Sequence, residues 1–424
     1  MRRVFKIDPP YSSHLKTQLL SLFSEYSHFQ FFDSNDYSNS YSQYDWLLAF
    51  DAKETISPIQ NEFDELFKFH SSHKDWLFGH LNYNLKNSLE NLKSDNEDGF
   101  EFSNLEFFIP QTVVFSKDGQ IQVESFVFKD SNEFLASISH KSKELNGSEK
   151  QIKLSAKASK SQYLDCIQKL KDELQYGNIY EVNYCMEFSG KDELNPMKVF
   201  QNLQNLSAAP FSSFYKNAQQ YLICSSPERY LQKKGDTIIS QPIKGTSKRS
   251  EIREMDNLLK KELLENEKER SENVMIVDLV RNDLSRTARK NSVKVEELFG
   301  IYSYPGVHQM TSTISSKIDP STKFTDVLKY SFPMGSMTGA PKIKAMELID
   351  QYENFSRSLY SGSVGYIDPK GNFDFNVVIR SILYNANSHY ISVRVGSAIT
   401  ILSEADKEYE ECLLKAEKLF QALV

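Results

Sequence analysis

Apolar positions fall into short strand-like runs over the first third of the chain, and into alternating strand-like and helix-like segments beyond about residue 160. In the first third, Trp46 to Phe50, Trp76 to Leu81 and Leu105 to Phe115 are strand candidates separated by polar connections rich in Ser, Asn and Tyr. Asp118-Gly119 lies between two β-prone runs, Thr112 to Phe115 and Ile121 to Phe126, which predicts a tight hairpin. The aromatic density of this region reads as core. From about Ser137 to Ser159 the chain turns rich in Ser, Lys and Glu and contains Asn146-Gly147, as an exposed connection would. The expected organisation is therefore an N-terminal region over residues 1–135, a linker over 136–159 and a larger domain over 160–424.

Beyond the linker, Ser161 is placed to cap a helix in which Tyr163, Leu164, Ile167, Leu170 and Leu174 recur at helical spacing, with Gly177 just past its end. Strands are expected at Ile179 to Phe188, Tyr221 to Ser225, Asp236 to Ser240, Ser363 to Ile367, Phe373 to Tyr384 and Tyr390 to Val395. A long helical stretch covers Ile252 to Leu284, and a last helix carries the apolar stripe Leu413, Leu414, Ala416, Leu419, Phe420 and Leu423. Strands with hairpin-like spacing, interleaved with helices, predict an α+β fold with antiparallel sheets in place of a doubly wound parallel one.

Composition narrows the chemistry. With 424 residues the chain can bury a sizeable core, and a formal charge of -7 without a strong basic block argues against nucleic acid as the main partner. Cys166, Cys185, Cys224 and Cys412 have no CxxC spacing and suit neither a zinc site nor a disulfide framework, so buried free thiols are expected. The start, MRRVFKIDPPYSS, has no apolar signal core, and no uninterrupted apolar run approaches about 18 residues. A cytoplasmic protein without membrane contact is expected. No GxGxxG follows a strand and no Walker-type loop is present, so nucleotide binding has no support.

Three features could carry chemistry. Lys244 sits in SQPIKGTSKR at the end of the run Asp236 to Ser240, before a Gly-Thr turn; beside an apolar wall its pKa would fall and expose a nucleophilic amine, whereas in a solvated loop it would be an ordinary ammonium. Glu269 with Glu272, and Glu408 with Glu411, are two i, i+3 pairs on helices. Facing each other they would suit Mg2+, a hard cation that takes one or two carboxylates and keeps waters; apart, each is an ordinary solvated helix face, with Glu411 pairing Lys415.

Whole stretches decide between these readings. SENVMIVDLVRND (Ser271 to Asp283), SYPGVH (Ser303 to His308), GSMTGAPK (Gly335 to Lys342), GSVGY (Gly362 to Tyr366), VIR (Val378 to Arg380) and EYEE (Glu408 to Glu411) together resemble the chorismate-utilising enzymes, which include anthranilate, isochorismate, salicylate and aminodeoxychorismate synthases. The resemblance covers about residues 160 to 424 in order, and FGHLNYNLKN (Phe78 to Asn87) extends it more loosely. It implies two orthogonally packed antiparallel sheets flanked by helices, a four-layer α/β/β/α arrangement, with a chorismate-binding catalytic domain over 160–424. PIKGT with Lys244 is similar to the aminodeoxychorismate synthase component I branch, where anthranilate synthases usually carry Ala. Isochorismate and salicylate synthases are expected to hold a water-activating lysine where this chain has Glu181 in IYEVN, and Asn183 also fits the aminating branch.

The resemblance implies amination of chorismate at C4 through a covalent Lys244 adduct at C2, giving 4-amino-4-deoxychorismate for 4-aminobenzoate and folate biosynthesis. Mg2+ is implied on Glu272 and Glu411 directly, with Glu269 and Glu408 acting mainly through water. Glu228, in SSPERY, matches the acid that protonates the leaving hydroxyl, its alternative being a surface ion pair with Arg229. Arg380 and Tyr360 match residues that hold the enolpyruvyl carboxylate, and Lys415, Gly335, Ser336, Thr338 and the Gly396 segment match the rest of the dianion pocket. His308 matches a histidine near the ring, with a buried structural histidine as the alternative.

Departures also stand in the sequence. Met334 occupies a position that is often Gly, and Gly396-Ser397-Ala398 replaces a glycine-rich turn. Phe32-Asp33-Ser34 and Ala209-Pro210-Phe211 are similar to segments that hold an inhibitory tryptophan in anthranilate synthases, which leaves tryptophan binding open. No Cys lies in a GxCxG-like elbow and no added lyase domain is evident, so ammonia is expected from a separate glutamine amidotransferase subunit or from free ammonium. Anthranilate synthase component I activity, or a non-catalytic partner that binds chorismate, are the competing readings.

Overall fold

A computed structural model describes residues 1–8, 12–37, 40–141, 151–304 and 306–424. Asn146-Gly147 of the expected linker and Pro305 of the SYPGVH motif lie outside the described residues.

Every described strand pairing is antiparallel. One sheet runs from Glu181–Lys191 through Tyr390–Ile399, Ser381–Asn385, Gln220–Ser226, Phe211–Asn217, His28–Asp33 and Trp46–Ile56 to the long strand Leu105–Lys117. From the other edge of Leu105–Lys117 a second sheet departs through Leu77–Leu81, Ser363–Ile367, Phe373–Asn376, Arg229–Lys234 and Thr237–Gln241 to Val307–Lys317. Strands of the N-terminal region and of the larger domain thus share both sheets.

Alternation along each strand decides which layer a residue enters. On Gln220–Ser226, Leu222 and Cys224 enter the cluster between the sheets, while Tyr221 and Ile223 face the helices of the opposite side. Those helices include Lys160–Gln175, Pro196–Ser207 and Ala405–Ala422, whose Ile167, Leu170, Phe200, Ala416 and Leu419 are buried in that layer. Against the second sheet lie Glu267–Ser285 and Phe324–Ser331, through Ile276, Val280, Val327 and Leu328. The α+β class and the sandwich of helices and antiparallel sheets follow directly from this period-two alternation.

The hairpin forms as the turn residues dictate: Asp118 and Gly119 have φ of 51° and 75°, both positive as a type I′ turn requires, and Lys117 pairs with Gln120. Several boundaries differ from the sequence reading. The helix cap is Ser159, whose side chain accepts from the Gln162 amide while Gln162 answers the Ser159 amide; Ser161 lies inside the helix. That capping box contributes about 1 kcal/mol and outcompetes the later serine. Part of the expected linker is helical, because Phe134 and Ile138 bury one face of Ser131–Lys141. The helical stretch from Ile252 breaks at Asn266, which caps Glu267–Ser285 by accepting from the Glu269 amide. Phe373 to Tyr384 is two strands, Phe373–Asn376 and Ser381–Asn385, parted where Arg380 takes a φ of 51°. Gly396-Ser397-Ala398 is no turn: it continues the strand Tyr390–Ile399 opposite Cys185, Tyr184 and Asn183. Among the described residues, no helix is long and apolar enough to cross a membrane.

Candidate active site

Lys244 is placed by a defect in the second sheet. Thr237–Gln241 pairs with the C-terminal half of Val307–Lys317, and after Pro242 the chain resumes as Ile243–Lys248 on the N-terminal half of the same edge. Between Ile243 opposite Thr311 and Thr246 opposite Gln309 one extra residue is accommodated as a bulge, which re-aims the side chains there. Lys244 is therefore within a bulged strand, and Gly245-Thr246 is part of that strand and not a turn. Gly245 has φ +87°, a conformation that favours glycine, and a Cβ on it would stand 3.0 Å from Glu269 Oε2, where this strand meets the helix Glu267–Ser285.

A cavity of about 490 Å³ opens at this point. Lys244, Glu228, Ser336, Tyr360, Arg380, Gly396 and Lys415 line it together with Glu269, Glu272, Glu408 and Glu411. The two glutamate pairs, more than a hundred residues apart in sequence, face one space. His308, Gly335 and Thr338 do not line it. The His308 ring is buried between Ser303 Oγ, 2.9 Å from Nδ1, and Asp256, 3.0 Å from Nε2, so it ties the helix Arg253–Glu265 to the sheet as the structural alternative describes. Thr338 Oγ1 donates to the carbonyls of Met334 and Gly335, and a Cβ on Gly335 would meet Leu279 at 2.7 Å. Both hold the loop that presents Ser336.

Electrostatics sort the groups. Lys244, 7% exposed, forms an ion pair with Glu181 at 2.6 Å. Burial disfavours its charge, but the carboxylates of Glu181, Glu272 and Glu228 outweigh that, and its pKa is raised. Neither the lowered pKa of an apolar wall nor a solvated loop describes it: the lysine is buried and held toward its ammonium form by carboxylates. Glu228 is 4% exposed and accepts a 2.6 Å hydrogen bond from Ser336 Oγ; burial pushes its pKa up to about 7 against Ser336 and the Lys244 charge. Arg229 instead pairs with Asp374 at 2.9 Å, so the surface ion pair does not form. Arg380 is half-buried beside the cavity, its Nη1 donating to the Lys415 carbonyl at 3.4 Å. Lys415 Nζ reaches both the Gly396 carbonyl, at 2.8 Å, and Glu411, at 2.6 Å. A Cβ on Gly396 would lie 2.5 Å from Cys185 Sγ, so glycine is required for the two strands to pack.

Sequence reasoning passed over Lys268. Its Nζ lies 2.8 Å from Glu408 and 3.7 Å from Glu272, bridging the two acidic helices, and these carboxylates raise its pKa despite burial. The i, i+4 spacing to Glu272 was readable, but the contact to Glu408 was not. Burial, with Glu181 and Glu269 as like charges, pushes Glu272 up to about 8. Among the described residues, no three carboxylate, imidazole or thiolate groups already converge closely enough to hold a metal ion. The donor set nonetheless suits a hard cation: Glu272 Oε1 and Glu408 Oε2 are buried without hydrogen-bond partners, and a lysine ammonium stands between the pairs.

The segments similar to a tryptophan site meet elsewhere: Phe32, Asp33, Ser34, Pro210 and Phe211 line a separate cavity of about 70 Å³ beside Arg229 and Asp374. Cys185, Cys224 and Cys412 are buried and Cys166 is half-buried, all as free thiols.

The family model described as chorismate binding enzyme matches residues 11–421. The chain belongs to this family. Membership of the chorismate binding enzymes accounts for the motif order and for the N-terminal third, which lies within the match. The chain is 32% identical over 357 residues to an anthranilate synthase component I-like protein of Synechocystis, covering 83% of this chain and 73% of that protein. It is 38% identical over 263 residues to the chloroplastic aminodeoxychorismate synthase of Arabidopsis thaliana, covering 61% and 28%. It is 35% identical over 268 residues to aminodeoxychorismate synthase component 1 of Klebsiella aerogenes, covering 63% and 59%. The matched part is thus about a quarter of the first of these aminodeoxychorismate synthases and three-fifths of the second. In fold, the chain is similar to anthranilate synthase component I of Streptococcus pneumoniae, with a TM-score of 0.77 at 22% identity over 91% of this chain and 93% of that one.

Proposed function

We propose that this chain binds chorismate and aminates it at C4, releasing 4-amino-4-deoxychorismate, as aminodeoxychorismate synthase component I. The observation that carries this reading is the pairing, on one cavity, of a buried primary amine, Lys244, with a buried carboxyl, Glu228, whose pKa of about 7 keeps it a proton donor near neutrality.

Lys244 forms a bond to C2 as the C4 hydroxyl departs with a proton from Glu228, and the two conjugated ring double bonds shift. Ammonia then bonds to C4, the two double bonds shift back, and the lysine leaves. Arg380 and Tyr360 supply donors to the enolpyruvyl carboxylate, while Ser336 both orients Glu228 and stands ready beside the ring. Glu269, Glu272, Glu408 and Glu411 would hold Mg2+, which when bound neutralises the ring carboxylate and anchors it among these glutamates. For the metal to enter, Lys268 has to release Glu408 and Glu272. His308, outside the cavity, has a positioning role. Ammonia reaches the cavity from a separate glutamine amidotransferase subunit or from solution, and the product serves 4-aminobenzoate and folate synthesis in the cytoplasm.

Mass spectrometry of the product from chorismate, Mg2+ and ammonium tests the reading. A product that keeps the enolpyruvyl group and carries an amine in place of the C4 hydroxyl supports it. Anthranilate with free pyruvate overturns it.

A further inference from the structure

Glu181 opens the strand Glu181–Lys191 and is 1% exposed. Its Oε1 stands 2.6 Å from Lys244 Nζ, and its Oε2 is buried without a hydrogen-bond partner. The strand is fixed at this point from two directions. Glu181 and Val182 pair with Ala340 and Gly339, and the next residue, Asn183, gives its carbonyl to the Arg357 guanidinium at 2.7 Å. The backbone that carries the carboxylate is therefore held in place, and the carboxylate touches the nitrogen that has to lose a proton before it can form a bond.

We infer that Glu181 is the base for the Lys244 nucleophile: it takes one proton from the ammonium as the amine attacks and returns it when the lysine leaves. The inference rests on the amination reading. In the first half, the N–H bond of Lys244 breaks toward Glu181, the freed electron pair forms the C2–N bond, the two conjugated ring double bonds shift, and the C4–O bond breaks with the proton of Glu228 so that water leaves. In the second, ammonia forms the C4–N bond, the two double bonds shift back, the C2–N pair returns to lysine, the Glu181 proton restores the lysine ammonium, and the new C4 ammonium gives one proton back to Glu228. Atoms and charge balance without a further reactant.

The charged groups that face Lys244 are Glu181 from the strand Glu181–Lys191, Glu228 from the turn before Arg229–Lys234, and Glu272 and Glu269 from the helix Glu267–Ser285. Glu228 is committed to Ser336 as the acid, and Glu181 is the carboxylate in ion-pair contact. Because the surrounding carboxylates hold Lys244 above its ordinary pKa, a neutral amine at pH 7 requires an acceptor in contact with it.

The test is Glu181→Gln in the full chain, assayed with chorismate, Mg2+ and ammonium between pH 7 and 9. Amination at pH 7 is expected to fall roughly 100- to 10,000-fold, with the chorismate KM changed less than about threefold. The deficit relative to wild type is expected to narrow about tenfold per pH unit, as solvent replaces the missing base. A wild-type rate at pH 7, or a deficit that stays constant from pH 7 to 9, overturns the inference. Should Glu181→Gln fail to fold, Glu181→Asp decides: it should be slower but keep the wild-type pH profile, and a displaced profile overturns the inference. Absence of aminated product from the wild-type chain sinks the amination reading itself, an outcome separate from either variant's behaviour.

Discussion

Lys268 donates to Glu408 across 2.8 Å and so joins the helix that carries one glutamate pair to the helix that carries the other. An ammonium in that position balances the cavity's negative charge and competes with any cation that enters. Lys268→Met is expected to tighten Mg2+ binding, on the order of tenfold, because the ammonium that competes with the cation for Glu408 and Glu272 is gone. Calorimetric titration with Mg2+ measures this. Unchanged or weaker binding would mean that Lys268 and the metal do not share the space.

Glu228 gives the reaction a pH signature. With its pKa raised to about 7 by burial, the proton it donates is present below that pH, so kcat/KM should fall about tenfold per pH unit above it. Removing the Ser336 hydrogen bond, which stabilises the carboxylate, should move the falling limb to higher pH in Ser336→Ala. A limb that stays in place would separate Glu228 from the proton transfer. The same shift affects folding. Between the ordinary glutamate pKa and about 7 the native state binds a proton that the unfolded chain has lost, so this group's contribution to stability falls as pH rises through that window. Glu228→Gln should therefore gain stability relative to wild type between pH 5 and pH 8, on the order of 3 kcal/mol, read from urea unfolding at both pH values.

Lys244 and Glu181 should be coupled in stability as well as in chemistry. Their side chains are 8% and 1% exposed, so Lys244→Ala leaves a buried carboxylate without its ion-pair partner. A loss of about 3 kcal/mol is expected from the single variant. Adding Glu181→Gln should recover most of it while amination stays absent. Additive losses in the double-mutant cycle would contradict a direct pair.

Arg357 holds the site from behind. Its guanidinium takes both oxygens of Glu353 and reaches the carbonyls of Met337 and Asn183, joining the loop that bears Ser336 to the strand that bears Glu181. Glu353→Ala leaves that buried cation without its carboxylate and should cost about 3 to 5 kcal/mol, seen as a lower urea midpoint. A cost below about 1 kcal/mol would mean that the two backbone carbonyls suffice.

Sequence alone determined the elements whose signals are local: the Asp118-Gly119 hairpin, the β-prone strands from Trp46 to Phe50 and from Ser363 to Ile367, the apolar stripe of the last helix and the order of the family motifs. It also singled out Lys244, Glu228 and both glutamate pairs, because residue type and motif carry that information. Tertiary structure alone decided the charge state around Lys244. Glu181 precedes it by 63 residues, and only the packing of their two strands makes a lysine readable as desolvated or solvated into a buried ammonium held by carboxylates. The same holds for Lys268, whose partner Glu408 lies 140 residues away, and for His308, which the packing of Asp256 withdraws from the cavity. Spacing along a chain fixes what shares a helix face or a strand face; contacts between faces arise only when the sheets and helices close on one another.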